Sequence, residues 1–143
     1  MSMDLREQKF GIEIELTGLT RKRAAEVIGK YLGQEPHYDG GYYEEYSVRD
    51  EQGRKWKVMY DSSIVAVKKG GGSAGDEYKV EFVSPICQYA DSVSMRILKP
   101  YRNWYANCVR EARKSTTPVD CTSTLIHLPT HRKHCVILST SWL

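Results

Sequence analysis

The chain has 143 residues, of which 41% are hydrophobic and 27% are charged, the balance of an ordinary soluble globular protein. This length supports one domain with a hydrophobic core and is short for two. The net charge of +3 and the pI near 8.6 permit contact with ATP, phosphates or acidic substrates. Because Lys and Arg form no long run, the charge pattern argues against nucleic acid as a partner.

The N-terminus and the cysteines bear on localisation. Residues 1–8 are polar and no apolar run approaches the length of a membrane span, so we expect neither a signal peptide nor a transmembrane helix. The four cysteines, which lack a CxxC arrangement, fit reduced thiols. We therefore expect a cytoplasmic protein with no membrane partner, and its oligomeric state stays open. The cysteines are Cys87, Cys108, Cys121 and Cys135.

The first predicted element is the segment FGIEIEL at residues 10–16. Apolar residues alternate in it with Gly11, Glu13 and Glu15, and this period of two predicts a half-buried β-strand. The two glutamates then share one face, with their Cβ atoms roughly 7 Å apart. Their repulsion calls for compensation by solvent, by basic neighbours or by a hard cation such as Mg²⁺.

The elements that follow alternate between short strands and turns. A helix is predicted over residues 21–32, with Thr20 as its N-cap and Gly33 after its last residue. Residues 36–41 form a turn-rich link, and Pro85 stops the last strand. Short connections between strands favour an α+β fold, an antiparallel sheet that carries one packed helix. Strands are predicted over residues 42–49, 54–60, 64–68 and 77–84.

The glycine-rich segment at residues 70–75 has two interpretations. It resembles a phosphate cradle, but it lacks the GxxxxGK[ST] pattern and a helix directly after it, which such loops use to bind phosphate. The tip of a hairpin is therefore the favoured interpretation.

Two further acidic residues extend the pattern of residues 10–16. Glu81 lies in the middle of a predicted strand between Val80 and Phe82, and Asp61 lies at the end of another. Antiparallel pairing could bring Glu13, Glu15 and Glu81 together on one face of the sheet, where a divalent cation is a plausible occupant.

At this point the sequence resembles a known family. FGIEIEL at residues 10–16, a Trp-containing strand leading to YDSSI at 60–64, and VEFVSPI at 80–86 are similar to motifs of the amidoligase family. That family belongs to the carboxylate–amine ligases related to glutamine synthetase and glutamate–cysteine ligase. The resemblance covers roughly residues 8 to 90, the N-terminal part only. It implies a curved antiparallel sheet of the glutamine-synthetase type, with Mg²⁺ and ATP on its concave face.

The resemblance also implies roles for the acidic residues. Glu13, Glu15 and Glu81 match the family's metal-binding acids, and Asp61 is carried over as a catalytic residue that serves the substrate or the end of its strand. Residues that bind the nucleotide are not identified. The implied reaction activates a carboxylate with ATP and Mg²⁺ as an acyl phosphate, which an amine then captures. The partners would be small-molecule or peptide carboxylate and amine substrates.

The sequence departs from the family pattern after residue 91. The family continues with an amphipathic helix and a Cys-Gly-x-His-x-His strand, and neither is present here. We therefore expect residues 1–91 to be the N-terminal part of an amidoligase-like domain, and residues 92–143 to be an out-of-frame or irregular tail. The chain would then be truncated and inactive as a ligase. The alternative is a genuine divergent C-terminus with a helix over residues 93–114.

The out-of-frame interpretation rests on codon arithmetic. A shifted reading frame combines the third base of each codon with the first two bases of the next codon. In this frame, the codons of residues 114–126 can encode VHHSCGLHVHID, which contains the missing motif. The junction of Asp120 and Cys121 encodes Leu whichever codons are used. Residues 96–113 likewise permit an amphipathic helix. A change of frame between about residues 85 and 97 would explain the tail.

Two other hypotheses remain. The His-x3-His spacing in the tail suits zinc, but the tail lacks a paired cysteine and a frame to hold the ligands. The candidate zinc ligands are Cys121, His127, His131, His134 and Cys135. The second hypothesis concerns the whole chain, which could be a non-enzymatic α+β module whose acidic face binds a protein partner.

Overall fold

The computed structural model describes residues 9–88, 106–108, 110, 111 and 114, together with the backbone of 123–129 and 136–139. These residues form one eight-stranded sheet and a helix packed against it. All its strand pairs are antiparallel, which confirms the α+β prediction. The elements are β1 (Lys9–Leu16), α1 (Arg21–Leu32), β2 (His37–Gly40), β3 (Glu45–Arg49), β4 (Lys55–Met59), β5 (Val80–Val83), β6 (Cys87–Gln88), β7 (Ser123–Pro129) and β8 (Val136–Ser139).

Strand β1 is the central element of the sheet. The order is β2-β3-β4-β5-β1-β7-β8, and β6 also pairs with β1. One edge of β1 pairs with β5 over residues 13–16 and with β6 over residues 9–10, while the other edge pairs with β7. Because both edges are occupied, the alternation of β1 fixes which side chains face the core.

The core lies between α1 and one face of the sheet. The apolar residues of β1 are each at most 4% exposed, and they pack with Ala24 and Ile28 of α1. Trp56 of β4 stacks on Phe82 of β5 with ring centroids 5.6 Å apart. Burial of this surface stabilises the fold by roughly 25 cal/mol per Å², and it leaves the opposite face of the sheet to polar side chains.

Helix α1 has the ends that its sequence predicts. The Thr20 side chain accepts a hydrogen bond from the Arg23 amide at 3.3 Å, and Gly33 adopts the left-handed conformation (φ 68°) after the last turn. Gly29 permits a close approach of the following chain, since a Cβ at this position would lie 2.5 Å from the carbonyl oxygen of Gln34.

Arg21 joins three segments at one end of the sheet. Its side chain is only 8% exposed and pairs with Glu44, whose backbone is left-handed (φ 45°). The guanidinium also donates to the carbonyl oxygens of Asp76 and Lys79 and lies over the ring of Tyr60, 5.5 Å from its centroid. The contact with Tyr60 helps to fix the position of the residue directly before Asp61.

Four segments differ from their predicted structure. The strand predicted over residues 42–49 begins only at Glu45, because residues 41–44 form a turn. Residues 37–40, predicted as a turn-rich link, form strand β2, because they pair with β3. Residues 64–68, predicted as a strand, make one isolated bridge between Val67 and Ser73, since three glycines with positive φ at 70–72 turn the chain back on itself. The strand predicted over residues 77–84 is shorter and begins at Val80, after a 3-10 helix at Asp76–Tyr78.

The expectation of an irregular segment after residue 91 also needs correction at two places. Strands β7 and β8 belong to the sheet, and β7 pairs with β1 from Ser123 to Pro129. The physical reason is that the second edge of β1 offers unpaired backbone groups, which hydrogen-bonding of another strand satisfies. Residues 106–108, 110, 111 and 114 are helical, within the helix of the alternative interpretation. The boundary at residue 91 and the change of frame remain predictions.

Candidate functional site

The acidic side chains lie on the face of the sheet opposite α1. Glu13 and Glu15 alternate with buried residues of β1, and Glu81 alternates with Val80 and Phe82 of β5. Glu15 is the direct cross-strand partner of Glu81, while Glu13 is opposite Val83. The structure therefore brings the three predicted metal ligands onto adjacent positions of one face.

Asp61, the predicted catalytic residue, follows the last residues of β4. Its Oδ1 accepts from the amide of Ser63 and its Oδ2 from the Ser63 hydroxyl, both at 2.8 Å. These bonds hold a turn, so Asp61 has a structural role at the strand end. Its charge also acts on all three glutamates, which places it in the same acidic cluster.

The three glutamates lie in surroundings that disfavour their ionisation. Burial and then the charge of Asp61 raise the pKa of Glu13, and the same causes together with Glu13 raise the pKa of Glu15. Burial, followed by the charges of Glu13, Asp61 and Glu15, raises the pKa of Glu81 to about 7. Repulsion between half-buried carboxylates has this effect whenever no cation offsets it.

Within residues 9–88 and the other described positions, none of the three glutamates forms a salt bridge. No group of three or more His, Cys, Asp or Glu side chains in that part of the chain converges into a ready metal site. The donors nevertheless fit Mg²⁺, which prefers carboxylate oxygens and keeps several waters. A cation would have to draw the side chains together, and the repulsion that it relieves would favour that movement.

A basic pair, which was not among the predicted site residues, extends the same face. Lys55 and Lys57 alternate with buried Trp56 and Val58 on β4, so they share the face of Glu13 and Glu81. Lys55 Nζ lies 2.8 Å from Asp39 and 2.9 Å from Glu45, and Lys57 Nζ lies 3.0 Å from Glu45. The alternation of KWKVM at residues 55–59 was the signal that could have revealed this pair.

Two other candidates from the sequence are the glycine-rich segment and the zinc ligands of the tail. Residues 68–72 form a tight turn in which the Lys68 amide donates to the Gly72 carbonyl at 3.0 Å, so the hairpin interpretation of the glycine-rich segment is confirmed. The side chains of the candidate zinc ligands in the tail lie outside the described residues.

Comparison with known proteins places the chain in a family. A model of the family described as "Putative amidoligase enzyme" matches residues 6–128. This range includes the three motifs and continues into β7 as far as Leu128. Neither the curated proteins nor the solved structures contain a match. In the part of the chain that the structure describes, no helix is long and apolar enough to cross a membrane. Because the match covers far more than half of the sequence, the chain belongs to the amidoligase family.

Proposed function

We propose that the chain carries the cation site of an ATP- and Mg²⁺-dependent amidoligase, a carboxylate–amine ligase related in fold to glutamine synthetase. The observation that carries the proposal is the cluster of Glu13, Glu15, Glu81 and Asp61 on one sheet face, without a basic partner for the glutamates among the described residues. The glutamates would ligate Mg²⁺, and Asp61 would add negative charge just after the end of β4.

The chemistry suits such a face. Negative charge gathers on the phosphoryl group as it leaves ATP, and a cation held by carboxylates neutralises it. A carboxylate oxygen of the substrate bonds to the γ-phosphorus while the bond to the bridging oxygen breaks and releases ADP. The amine nitrogen then bonds to the carbonyl carbon, phosphate leaves and the amine gives one proton to solvent. Small-molecule and peptide substrates both fit this scheme.

We infer that this chain binds the cation but turns over little substrate. Its sequence contains no Cys-Gly-x-His-x-His segment, so the imidazoles that the family places near nucleotide and metal are missing. Binding and catalysis therefore have to be measured separately.

The direct test is metal binding to the purified chain at pH 8. Mn²⁺, which occupies oxygen sites like Mg²⁺, is titrated while thermal unfolding and the electron-spin resonance of free Mn²⁺ are followed. We expect saturable binding and a higher Tm, with binding about tenfold weaker or worse in Glu13→Gln and Glu81→Gln. Glu35→Gln, at an exposed position outside the cluster, should bind like wild type. Equal binding by all four proteins would refute the site.

A second candidate is a non-enzymatic binding module. It is favoured by exposed aromatic residues before β3, where Tyr42 is 82% and Tyr43 is 52% exposed, since tyrosine is enriched at protein interfaces. Competition between a fluorescent ATP analogue and ATP separates the two functions, because only the ligase is expected to bind the nucleotide.

A further inference from the structure

The polar face of the sheet has an acidic half and a basic half that meet at Val83. In one row across the strands, Lys57 of β4 is opposite Val83 of β5, and Val83 is opposite Glu13 of β1. Residues opposite each other in antiparallel strands point to the same face. Lys57 and Glu13 are thus two strands apart, roughly 10 Å between their Cα atoms.

Lys57 and Lys55 are not equivalent in their ion pairs. Lys55 Nζ lies between two carboxylates, Asp39 and Glu45, whereas Lys57 Nζ pairs with Glu45 alone. Glu45 therefore divides its two oxygens between the two lysines. An ammonium has three N–H donors, and the Lys57 side chain is 38% exposed, so Lys57 can donate to an incoming anion while it keeps Glu45.

The ion pair with Glu45 also fixes the position of the Lys57 side chain. It holds the ammonium toward Glu45 of β3, on the side of β4 that is away from β5 and β1. The face thus keeps its positive and negative groups apart, and an anion bound between them would meet Lys57 on one side and the cation on the other.

We propose that Lys57 binds the carboxylate of the substrate. This inference rests on the proposed function, because it takes the acidic half to hold the cation and the phosphoryl group. One carboxylate oxygen would accept a hydrogen bond from Lys57 Nζ, while the other oxygen attacks the γ-phosphorus. When the amine adds to the acyl phosphate, the same ammonium faces the carbonyl oxygen on which negative charge develops, which stabilises that step.

The test uses acetate as the carboxylate probe and Mn²⁺ as the cation. Relaxation of ¹³C-acetate by protein-bound Mn²⁺ reports how much acetate binds near the acidic half. In Lys57→Met, which keeps most of the aliphatic stem, the Kd of acetate should rise about tenfold, and the Kd of Mn²⁺ should stay within a factor of two. Lys22→Met is the matched control, because Lys22 is exposed on α1, which packs against the opposite face.

The outcomes separate this inference from the proposed function. If wild type binds no Mn²⁺, the result refutes both the proposed function and the proposal that Lys57 binds the substrate carboxylate. If Mn²⁺ binds but the Kd of acetate is the same for Lys57→Met and wild type, only the proposed role of Lys57 is overturned. Should Lys57→Met not fold, lysine acetylation of the wild-type chain replaces it. Acetate with Mn²⁺ should slow labelling of Lys57 and leave Lys22 unchanged, and equal labelling would overturn the inference.

Discussion

Glu15 on β1 and Glu81 on β5 lie directly opposite each other in the sheet, so two carboxylates share one cross-strand position. Like charges at such a position destabilise a sheet, and burial adds to the repulsion by weakening the solvation of both. The pair remains because the opposite side of the same strands is anchored in the core by Ile14, Val80 and Phe82. Packing on one face therefore stabilises an unfavourable arrangement on the other.

The first prediction concerns the pH dependence of stability without metal. The folded pKa of Glu81 is about 7 against an ordinary 4.5, so between these values the folded chain binds a proton that the unfolded chain releases. The free energy of unfolding should then fall as pH rises from 4.5 to 7 and level off above. Since solvent screening reduces the effect at a half-buried group, we expect a loss of roughly 1–2 kcal/mol.

Urea unfolding at pH 5 and pH 8 in the presence of EDTA checks this loss. Glu81→Gln should flatten the dependence and be more stable than wild type at pH 8. Glu35→Gln should retain the wild-type slope. A Glu81→Gln slope as steep as that of wild type would show that another group is responsible.

The second prediction concerns competition between protons and cations. The pKa values of Glu13 and Glu15 are raised and that of Glu81 is raised to about 7, so protons compete with a cation for these carboxylates above the pH at which an ordinary glutamate ionises. Mn²⁺ affinity should therefore rise at least tenfold between pH 5.5 and pH 8, as measured by isothermal titration calorimetry. An affinity that is constant over this range would exclude these carboxylates as the ligands.

The third prediction concerns Asp50 in the hairpin that precedes the basic pair. Asp50 accepts from the amides of Gln52 and Arg54, from Arg54 Nε and from Trp56 Nε1 at 2.8–3.0 Å. Burial raises the pKa of Asp50, but the hydrogen bonds from Trp56 and Arg54 outweigh it and leave the pKa below its ordinary value. Asp50→Ala should destabilise the chain by roughly 2–4 kcal/mol at pH 7.

Because the folded pKa of Asp50 is lowered, its contribution should be present at neutral pH and lost in acid. The difference between wild type and Asp50→Ala in urea unfolding should therefore shrink between pH 7 and pH 3. A difference that stays constant would assign the effect to the shape of the loop. Asp50→Asn, which keeps one acceptor oxygen, is expected to be intermediate.

The fourth prediction concerns the close approach at Gly29. A methyl group there would lie 2.5 Å from the Gln34 carbonyl oxygen and 3.0 Å from Pro36 Cδ, so the backbone would have to move. Gly29→Ala should lower the free energy of unfolding by roughly 1–3 kcal/mol, although alanine favours helices. Gly11→Ala is the control, because no atom of the described residues lies within 4 Å of a Cβ added there. An unchanged Tm for Gly29→Ala would contradict the packing.

The fifth prediction concerns the nucleotide sequence for residues 85–143. If the frame changes, the shifted codons must spell the Cys-Gly-x-His-x-His segment. Its second histidine would fall at the junction of Ser123 and Thr124, whose backbone lies opposite Leu16 and Glu15 of β1. Restoring the frame should then give a chain with ATP-dependent ligase activity, measured as hydroxamate formed from a carboxylate and hydroxylamine. Codons that do not spell the segment end this hypothesis.

The parts of the structure that the sequence predicts are those where a local pattern and the tertiary packing agree. Strand β1 and helix α1 have clear periods and end signals, and both form as expected. Strand β2 could not be predicted because HYDG has turn residues and becomes a strand only by pairing with β3. Strands β7 and β8 depend in the same way on partners that are distant in sequence.

The same distinction, between features set by local pattern and features set by distant partners, applies to the candidate site. Alternation alone puts Glu13, Glu15 and Glu81 on a polar face, but the pairing of Glu15 with Glu81 is a matter of register between strands more than sixty residues apart. The shared use of Glu45 by Lys55 and Lys57 requires the fold of the hairpin and the adjoining strand. Residue types therefore predicted the acidic half, and alternation could have indicated Lys55 and Lys57, whereas their ion pairs needed the structure.

The position of β1 has a consequence for the order of events during synthesis. Its nearest cross-strand partner in the chain is Val80, which pairs with Leu16. At about 5–20 residues per second, several seconds of translation separate the two, and for that time the apolar stripe of β1 has no partner strand. Charged residues that interrupt a hydrophobic strand oppose its aggregation. Glu13 and Glu15 are such residues, so the side chains proposed to hold the cation also protect the nascent chain before the site exists.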